Sequence, residues 1–570
     1  MQDTSNNWKA IPWTNVRKDV FQMQKRIFRA SSKGCRTRLH TLQRLLISSR
    51  SAKLLAVHRA AEESRGANTP GVDGQRKLSD PAKLRLAREI SLRRRVKPVR
   101  RVQIPKPGSS ETRPLGIPTI ADRALQHLIV LALEPEWEAK LSPHQYGFRR
   151  GRNCHDALVH IRRYIRRTPR WVLDADIEKF FDRINHDALL GKLQTWRPLE
   201  TAIRRILRSG VIEDNEFSIT NQGTPQGGPL SPLLANVALA GLEEALTEAA
   251  TGGTLIPGRA TRKPPRVVIY ADDLVVLHTD RDMVEATQEF IEKWLQPLGL
   301  NLSTSKTRVV HTLDRNHGTP AGFDFLGCRV QQFRVGRHQV DPYFKGVWTD
   351  VRPSKKSVRN LLEKCRATIQ KMGPHKKRNA AYKELAKAGK AGPIEVMIIH
   401  LNRQLRGWCG FHRYQNAKRT FSRIDHLMFH MLWRWAKKTF PRRSRIRLVR
   451  ELFNGANPWK FKLPISAPGQ PRELIKAAET PIVRHFPVQT DRSYFDGDWS
   501  YWGTRTGTYP TIPARVAKAL QRQGGKCPAC KRRCEHQDRF ILREGSVYHR
   551  TCCAQSCDTT PLVATGSPNR

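Results

Sequence analysis

One stretch of the chain decides its fold, namely residues 267–277, which read VVIYADDLVVL. Two short runs of apolar, mostly β-branched residues flank two adjacent acids, Asp272 and Asp273. Runs of this kind favour strands that bury their side chains, whereas carboxylates stay near the surface unless they have partners. The pattern therefore predicts a β-hairpin whose strands lie in a sheet and whose tip carries two carboxylates.

A second pair of acids, Asp174 and Asp176, lies earlier in the chain, directly after the apolar run at residues 171–173. Side chains two apart on a strand point to the same face, so this pair faces one side. Synthesis of a phosphodiester bond needs two divalent cations about 3.5–4 Å apart, and Mg²⁺ prefers clustered carboxylate ligands. An isolated pair of acids is more often a solvated turn or a helix cap, so a magnesium site requires both pairs together.

The charge of the chain indicates a polyanionic partner. Its 570 residues include 102 Lys and Arg against 50 Asp and Glu, and the net charge of +52 is spread along the chain. Phosphates would neutralise this charge, which favours nucleic acid. Apolar stretches such as residues 233–242, which we expect to form one continuous helix, are shorter than the ~18 residues of a spanning helix, so we expect no membrane partner. The first ten residues lack the apolar core of a signal peptide, which predicts the bacterial cytosol or an organelle matrix.

Two motifs resemble those of reverse transcriptases. Residues 270–273 (YADD) resemble the palm motif of that family, and residues 176–182 (DIEKFFD) resemble its first catalytic block. The resemblance implies an RNA-directed DNA polymerase that holds two Mg²⁺ ions with three catalytic aspartates, while Asp174 and Asp182 serve the structure. The implied metal ligands are Asp176, Ile177 through its carbonyl, Asp272 and Asp273.

The same resemblance implies a binding site for the incoming nucleotide. Phe181, five residues after the first catalytic acid, takes the place of an aromatic that lies beneath the sugar and excludes a 2′ hydroxyl. Lys106 and Arg113 fall on the two arms of a basic hairpin, where the family's cations hold the triphosphate of a dNTP. Gln226 belongs to a loop rich in Gly and Pro that resembles the nucleotide-pocket motif. Lys306 is expected to help neutralise the triphosphate.

The sequence on both sides of the palm resembles that of group II intron proteins. The turn at residues 68–74 resembles an N-terminal block shared with non-long-terminal-repeat enzymes, and residues 353–356, 401–408 and 421–435 resemble the thumb, or maturase, domain. We therefore predict an α+β fold in which a right-hand polymerase of fingers and palm precedes an α-helical thumb. The predicted domains are an N-terminal helical extension (1–85), fingers and palm (86–340), the thumb/maturase domain (345–440), a DNA-binding region (441–510) and a small Cys-rich domain (515–570).

The Cys-rich end resembles a damaged endonuclease domain. Residues 527–530 (CPAC) resemble the opening of the His-Asn-His domain that ends many group II proteins, and residues 549–552 (HRTC) resemble its later metal-binding half. The histidine pair that supplies the general base in that family is missing, so we expect a structural or DNA-binding remnant without endonuclease activity. The spacing suits zinc. Its candidate ligands are Cys527, Cys530, His549, Cys552 and Cys557.

The resemblance implies two linked functions. The protein would bind its group II intron RNA to promote splicing, and would copy RNA into cDNA during intron mobility, or retrohoming. Its expected partners are the intron RNA, an RNA template with a DNA primer or target, and dNTPs. The oligomeric state stays open, a homodimer included.

Two alternatives to this function also stay open. A domesticated reverse transcriptase that works in a host pathway would keep the same palm. A splicing-only maturase or RNA-binding protein would tend to lose palm acids, and here Asp176, Asp272 and Asp273 are all present. We therefore favour an active polymerase.

Overall fold

The structure, a computed structural model, shows a mixed α/β protein with a helical segment after its sheets. It describes residues 7–64, 66–105, 112–316, 318–335, 346–371, 393–453, 460–462 and 473–552. Lys106 of the predicted nucleotide site and Cys557 of the predicted zinc site lie outside these residues. Among the helices of the described ranges, none is both long and apolar enough to cross a membrane.

Helices and strands alternate along most of the chain. The α-helices are α1 (Trp13–Ser32), α2 (Arg36–Ser48), α3 (Arg50–His58), α4 (Asp80–Glu89), α5 (Ile120–Glu138), α6 (Cys154–Ile165), α7 (Phe180–Arg183), α8 (His186–Leu193), α9 (Arg197–Leu207), α10 (Ser231–Leu239), α11 (Leu242–Thr251), α12 (Arg281–Leu295), α13 (Lys355–Lys371), α14 (Pro393–His412), α15 (Lys418–Thr439), α16 (Arg445–Leu452), α17 (Trp499–Thr506) and α18 (Ala514–Arg522). The strands are β1 (Val99–Pro105), β2 (Thr112–Ile117), β3 (Trp171–Asp176), β4 (Val211–Glu213), β5 (Glu216–Ser218), β6 (Arg266–Tyr270), β7 (Asp273–His278), β8 (Arg308–His311), β9 (Phe323–Phe325), β10 (Cys328–Arg334), β11 (Val347–Pro353), β12 (Phe540–Arg543) and β13 (Ser546–His549).

The central sheet is antiparallel and has the strand order β6-β7-β3-β8. Its strands form from runs of β-branched and apolar residues, and Val268 and Val275 are fully buried. The register pairs Asp273 with Tyr270 across the hairpin and with Asp176 on β3. The hairpin predicted at residues 267–277 is therefore confirmed, and both predicted pairs of acids belong to one sheet.

A second sheet has the strand order β2-β1-β4-β5. Strands β1 and β2 pair antiparallel with Ile104 opposite Arg113, and β1 runs parallel to β4. The two arms of the predicted basic hairpin are therefore confirmed. Its turn, residues 106–111, is outside the described residues.

The N-terminal helices α1, α2 and α3 pack against α5. Helix α5 is buried around most of its circumference, and its buried residues include polar side chains such as Gln126 and Glu136 as well as apolar ones. Buried glutamines of α1 and α2 form hydrogen bonds with polar groups of α5. Gln24 Nε2 donates to the Leu131 carbonyl at 2.9 Å, and Gln43 Nε2 donates to the Glu136 carboxylate at 2.6 Å. These helices form one core with the central sheet.

A sheet of order β11-β10-β9 leads into the helices α13, α14 and α15. Helix α13 buries Leu361, Cys365 and Ile369, which are four residues apart and fall on one face. Together with apolar residues of α14 and α15 they form a separate hydrophobic core. The α-helical segment predicted in this part of the chain is confirmed within the described residues.

Residues 485–552 dock on α6 and pack against the central sheet, whereas Leu474 and Ala477 still belong to the core of the helical segment. Trp502 of α17 is fully buried and lies against Gly151, just before α6. Arg505 donates to the Gly151 carbonyl at 2.7 Å and to the carboxylate of Asp156, which is fully buried. The C-terminal part of the described chain thus shares a core with the sheet and is not a separate appendage.

One predicted helix differs in the structure. We predicted a continuous apolar helix over residues 233–242, but α10 ends at Leu239 and α11 begins at Leu242. The break occurs because Gly241 adopts a φ of +87°, a left-handed conformation that favours glycine and ends a helix.

Candidate active site

The structure brings the acids of both pairs to one end of the central sheet. Asp176 is the last residue of β3, Asp273 is the first residue of β7, and Asp272 lies in the turn between β6 and β7. Ala271 begins this turn with a φ of +58°. The Ile177 amide donates to the Asp272 carbonyl oxygen at 3.1 Å, which ties the turn to the chain leaving β3.

Few positive charges lie close enough to balance these three carboxylates. Burial raises the pKa of Asp272, and the charge of Asp176 adds to that effect. Burial and the charges of Asp272 and Asp176 raise the pKa of Asp273 to about 7. Lys306 Nζ lies 2.8 Å from Asp176 Oδ1, and among the described residues no other Lys or Arg forms an ion pair with these three acids. A cluster of hard oxygens with one cation fits divalent ions such as Mg²⁺.

A cavity of about 1120 Å³ opens beside the acids. Asp176, Ile177 and Asp272 belong to its wall, whereas Asp273 is paired within the sheet and is not part of that wall. The wall also contains every predicted nucleotide-binding residue that the structure describes. These are Arg113, Phe181, Gln226 and Lys306.

Two adjacent phenylalanines of α7 take different positions. Phe180 is 2% exposed and belongs to the hydrophobic core, whereas Phe181 is half-buried and packs at the edge of that core. The Phe181 ring meets the Phe148 ring edge-on, with 6.1 Å between centroids. An aromatic surface therefore lies on one side of the cavity, where the resemblance places the sugar of the nucleotide.

The loop that carries Gln226 is fixed from two sides. The Thr224 amide donates to the Phe181 carbonyl at 2.6 Å, which joins the loop to α7. The Gly116 amide of β2 donates to the Gln226 carbonyl at 2.6 Å, which joins the loop to the second sheet. The Gln226 side chain reaches Asp182, with Nε2 3.4 Å from each carboxylate oxygen.

The acid Asp174, to which we gave a structural role, does not belong to the cavity wall. Arg308 on the neighbouring strand β8 binds it, with Nη2 2.8 Å from Oδ2. This ion pair joins β3 to β8. The contact supports a structural role for Asp174.

The cavity wall also contains side chains to which the sequence interpretation gave no role, among them Arg101 and Phe148. Arg101 comes from β1, and Phe148 comes from the loop before α6. Phe148 adopts a φ of +57° and is 53% exposed, which is unusual for a phenylalanine. The sequence around Phe148 reads YGFR (residues 146–149), and this stretch alone does not say which of its side chains faces the site.

A second cluster lies in the C-terminal part of the chain. The ligand atoms of Cys527, Cys530, His549 and Cys552 all lie within 4.8 Å of one another. His549 Nδ1 is 3.3 Å from Cys530 Sγ, and its Nε2 is 3.2 Å from a carboxylate oxygen of Asp538. Four of the five predicted zinc ligands are therefore together, in a set of thiolates and imidazole that suits a tetrahedral metal.

Three family models match consecutive parts of the chain. Residues 8–90 match the N-terminal domain of reverse transcriptase, and residues 104–330 match reverse transcriptase (RNA-dependent DNA polymerase). Residues 362–453 match the group II intron, maturase-specific domain. The acidic cluster and most of the cavity wall fall within the reverse transcriptase match, and α14 and α15 fall within the maturase-specific match.

Several curated proteins are similar to this chain. Protein YkfC of Escherichia coli (strain K12) is 30% identical over 359 residues, which cover 56% of this chain and 91% of that protein. Group II intron-encoded protein LtrA of Lactococcus lactis subsp. cremoris is 40% identical over 151 residues, 26% of this chain and 25% of LtrA. Maturase-like protein 1 of Euglena gracilis is 23% identical over 423 residues, 71% of this chain and 77% of that protein. The chain belongs to the family of group II intron-encoded reverse transcriptase/maturases, whose catalytic domain is an RNA-directed DNA polymerase.

Proposed function

We propose that the cavity beside the acidic cluster extends a DNA primer by template-directed nucleotidyl transfer. The observation that carries this proposal is the meeting of Asp176, Asp272 and Asp273 at one end of the central sheet, beside a nucleotide-sized cavity with cations and an aromatic in its wall. Two Mg²⁺ ions held by these acids and the Ile177 carbonyl would supply activation of the primer hydroxyl and stabilisation of charge on the triphosphate.

The remaining side chains of the cavity select and orient the nucleotide. Arg113 offers a forked guanidinium to phosphate oxygens, and Lys106 is proposed to act with it. Phe181 fills the space that a 2′ hydroxyl would need. Lys306, which is 64% exposed and already beside Asp176, adds positive charge where the triphosphate enters. Gln226 contacts the sugar or base.

The architecture supports the right-hand arrangement of a polymerase. In this proposal the sheet β2-β1-β4-β5 belongs to the fingers, the central sheet is the palm, and α13, α14 and α15 form the thumb or maturase domain. Helix α15 of the thumb exposes cations such as Arg434, Lys437 and Lys438. Trp433 and Trp435 are partly buried against the thumb core, so we assign the contacts with intron RNA to the exposed cations.

Intron RNA is the partner that family membership implies, and we propose that binding it promotes splicing. During retrohoming the same protein would copy that RNA from a primer at the DNA target, with residues 441–510 contacting the DNA. The protein would provide no second-strand nick, because the histidine pair of the endonuclease is missing. The primer would then come from another source, such as a nascent strand at a replication fork.

We further propose that the C-terminal cluster binds one zinc ion as a structural site. The His549 ring is oriented by Asp538, in the way that a carboxylate commonly orients a metal-binding imidazole. Emission spectrometry of the purified protein should find about one zinc per chain. The Cys530→Ser variant should lose it, and retention of stoichiometric zinc by that variant would refute this assignment.

The dual function can be tested with the intron RNA that encodes the protein. The purified wild type should splice that RNA at low magnesium and synthesise cDNA from a primer annealed to it. Asp272→Ala should abolish cDNA synthesis and leave splicing unchanged, because Asp272 lies in the wall of the nucleotide cavity and not on the helices assigned to intron RNA. Splicing without cDNA from the wild type would instead identify a splicing-only maturase, and cDNA without splicing would favour a domesticated polymerase.

A further inference from the structure

One basic surface with an aromatic ring lies outside the site described above. Arg162 belongs to the last turn of α6, and Arg166 directly follows that helix. Arg484 and Phe486 come from a much later part of the chain, and the Arg484 Cζ atom lies 5.5 Å from the centre of the Phe486 ring. All four side chains are exposed, and Phe486 is 71% exposed. We call these four residues the α6 surface.

The segment that carries Arg484 is fixed along α6. His485 Nε2 lies 2.9 Å from the carboxylate of Asp156, and the His485 ring is 5.5 Å from the ring of His155. Both of these contacts are with the first turn of the helix. Because residues 155, 162 and 166 fall on one face of a helix, the segment lies on the face that carries the two arginines.

The positive charge of the α6 surface is only partly balanced. Partial burial lowers the pKa of Arg162, and the charges of Arg166 and Arg484 lower it further. The nearby Asp350 opposes this effect, but Arg352 already binds its carboxylate. Cations at the end of a helix are favourable by themselves, but that does not explain a third arginine from another segment. Like charges brought together in this way indicate an anionic ligand.

The exposed ring narrows the class of ligand. A ring beside an arginine can stack on a base while the guanidinium contacts a neighbouring phosphate, and proteins hold single-stranded nucleic acid in this way. The bases of a duplex are stacked on one another and offer no free face to a side chain at the surface. The exposed Phe486 ring therefore favours an unpaired strand over a duplex.

The α6 surface is remote from the catalytic acids. Arg166 lies shortly before β3, and β3 runs from Trp171 to Asp176 over roughly 17 Å, at about 3.3 Å per residue. All four residues of the surface lie outside the wall of the nucleotide cavity. In the proposed function RNA occupies that cavity and the thumb helices, whereas the segment 441–510, which includes Arg484 and Phe486, contacts DNA. DNA is therefore the strand that this surface would hold.

We propose that Arg162, Arg166, Arg484 and Phe486 form a binding surface for single-stranded DNA, in which the arginines hold phosphates and the ring stacks on one unpaired base. The proposal rests on the DNA contact of the proposed function and names the form of that DNA, an unpaired strand. A target offers such a strand where its two strands are already separated, which suits a protein that makes no second-strand nick.

The test measures binding of a fluorescent oligothymidylate to the purified full chain after a chain-terminated primer on an RNA template has filled the nucleotide cavity. Phe486→Leu should weaken binding about tenfold at every salt concentration, since one stacked base is lost. Arg484→Gln should weaken binding and also lower the slope of log affinity against log salt by about 0.7, since one phosphate contact is lost. Phe217→Leu on β5 and Lys293→Gln on α12 are matched controls, because both residues are exposed and neither belongs to the α6 surface.

Crosslinking keeps the result independent of how the variants fold. In the wild type, 5-iodouracil placed in the oligonucleotide should crosslink to the peptide that contains Phe486. Unchanged binding by Phe486→Leu, an equal loss by that variant with a blunt DNA duplex, or crosslinks that map only elsewhere would each overturn the proposal. If the wild type binds no DNA in any form, the DNA contact of the proposed function fails as well.

Discussion

At the scale of single residues, side chains that are neighbours and look alike in the sequence differ in burial and in their partners at the site. Phe180 and Phe181 are adjacent, yet the first is 2% exposed in the core and the second is half-buried and reaches the cavity. Asp174 and Asp176 share one face of β3, yet Arg308 binds the first and Lys306 the second. A shift of one or two residues along the chain therefore decides which side chain reaches the cavity.

Phe181→Val tests the selection against ribonucleotides. A smaller side chain leaves room for a 2′ hydroxyl, so the ratio of kcat/KM for dNTPs to that for rNTPs should fall on the order of tenfold or more. Single-nucleotide extension of a primed RNA template measures this ratio. Phe333→Val, a change of an exposed residue on β10, serves as the control. An unchanged ratio in Phe181→Val would mean that another group excludes the 2′ hydroxyl.

Most site residues could be predicted because short motifs carry them. The strong alternation of apolar runs and acids at residues 171–176 and 267–277 predicted both strands and their acidic ends. The partner of Gln226 could not be found in the same way, because Asp182 lies 44 residues away and only the fold brings them together. The Cys and His cluster near the C-terminal end could be predicted, because the spacing of metal-binding residues within a short motif is visible in the sequence.

At the scale of elements, the interface between α17 and the loop before α6 is closely packed. Gly151 has a φ of +72°, and a Cβ atom at that position would overlap the ring of Trp502. No pattern in the sequence indicated this contact, since the two residues are far apart and neither lies in a recognised ligand motif. The end of α10 could not be predicted either. The apolar run continues past it, and only the structure shows that the chain turns at Gly241.

Gly151→Ala should destabilise the protein, because the new side chain would overlap the Trp502 ring and because residue 151 has a positive φ. The alanine side chain meets a fully buried ring, and its backbone would stay in a left-handed conformation, so we expect a loss of about 2–4 kcal/mol in the free energy of unfolding. Gly191→Ala is the matched control, because Gly191 is exposed within α8 and has open space around it. That change should be neutral or stabilise by about 0.5–1 kcal/mol. Urea unfolding measures both, and equal midpoints for the two variants would contradict this packing.

At the scale of the whole molecule, one buried acid joins distant parts of the chain. Asp156 caps α6 and also accepts hydrogen bonds from the His485 ring at 2.9 Å, the Val488 amide at 2.9 Å and the Arg505 guanidinium. Burial alone would raise the pKa of Asp156, but the His485 and Arg505 contacts lower it below its ordinary value. The C-terminal part is thus held to the central sheet by charge as well as by its core.

Asp156→Asn should loosen this attachment. The substitution leaves the half-buried Arg505 without its counter-charge, which costs about 3–5 kcal/mol at neutral pH. Because the pKa of Asp156 is lowered on folding, its stabilisation is present above the unfolded pKa of about 4 and is lost as pH falls through the lower folded value. The difference in urea midpoint between wild type and variant should therefore be full at pH 7 and shrink below pH 4. A difference that stays constant down to pH 2.5 would contradict the ionic attachment.

The net charge of +52 also belongs to the whole molecule and shapes how it meets nucleic acid. Exposed cations occur on the helical segment as well as around the cavity, so in the proposed function template, primer and intron RNA would all meet a predominantly positive surface. Composition alone predicted the polyanion. Which cations touch RNA could not be predicted, because that depends on which helix faces are exposed.

The most direct test of the account is incorporation of one dNTP by the purified protein on a primed RNA template with Mg²⁺. The wild type should extend the primer with the nucleotide that the template specifies, and Asp272→Asn should be slower by about a hundredfold or more, since several kcal/mol of charge stabilisation are lost. Asp282→Asn, an exposed acid on α12, should behave as the wild type. Equal extension by wild type and Asp272→Asn, or no extension by the wild type at any salt concentration, would contradict a polymerase site at the end of the central sheet.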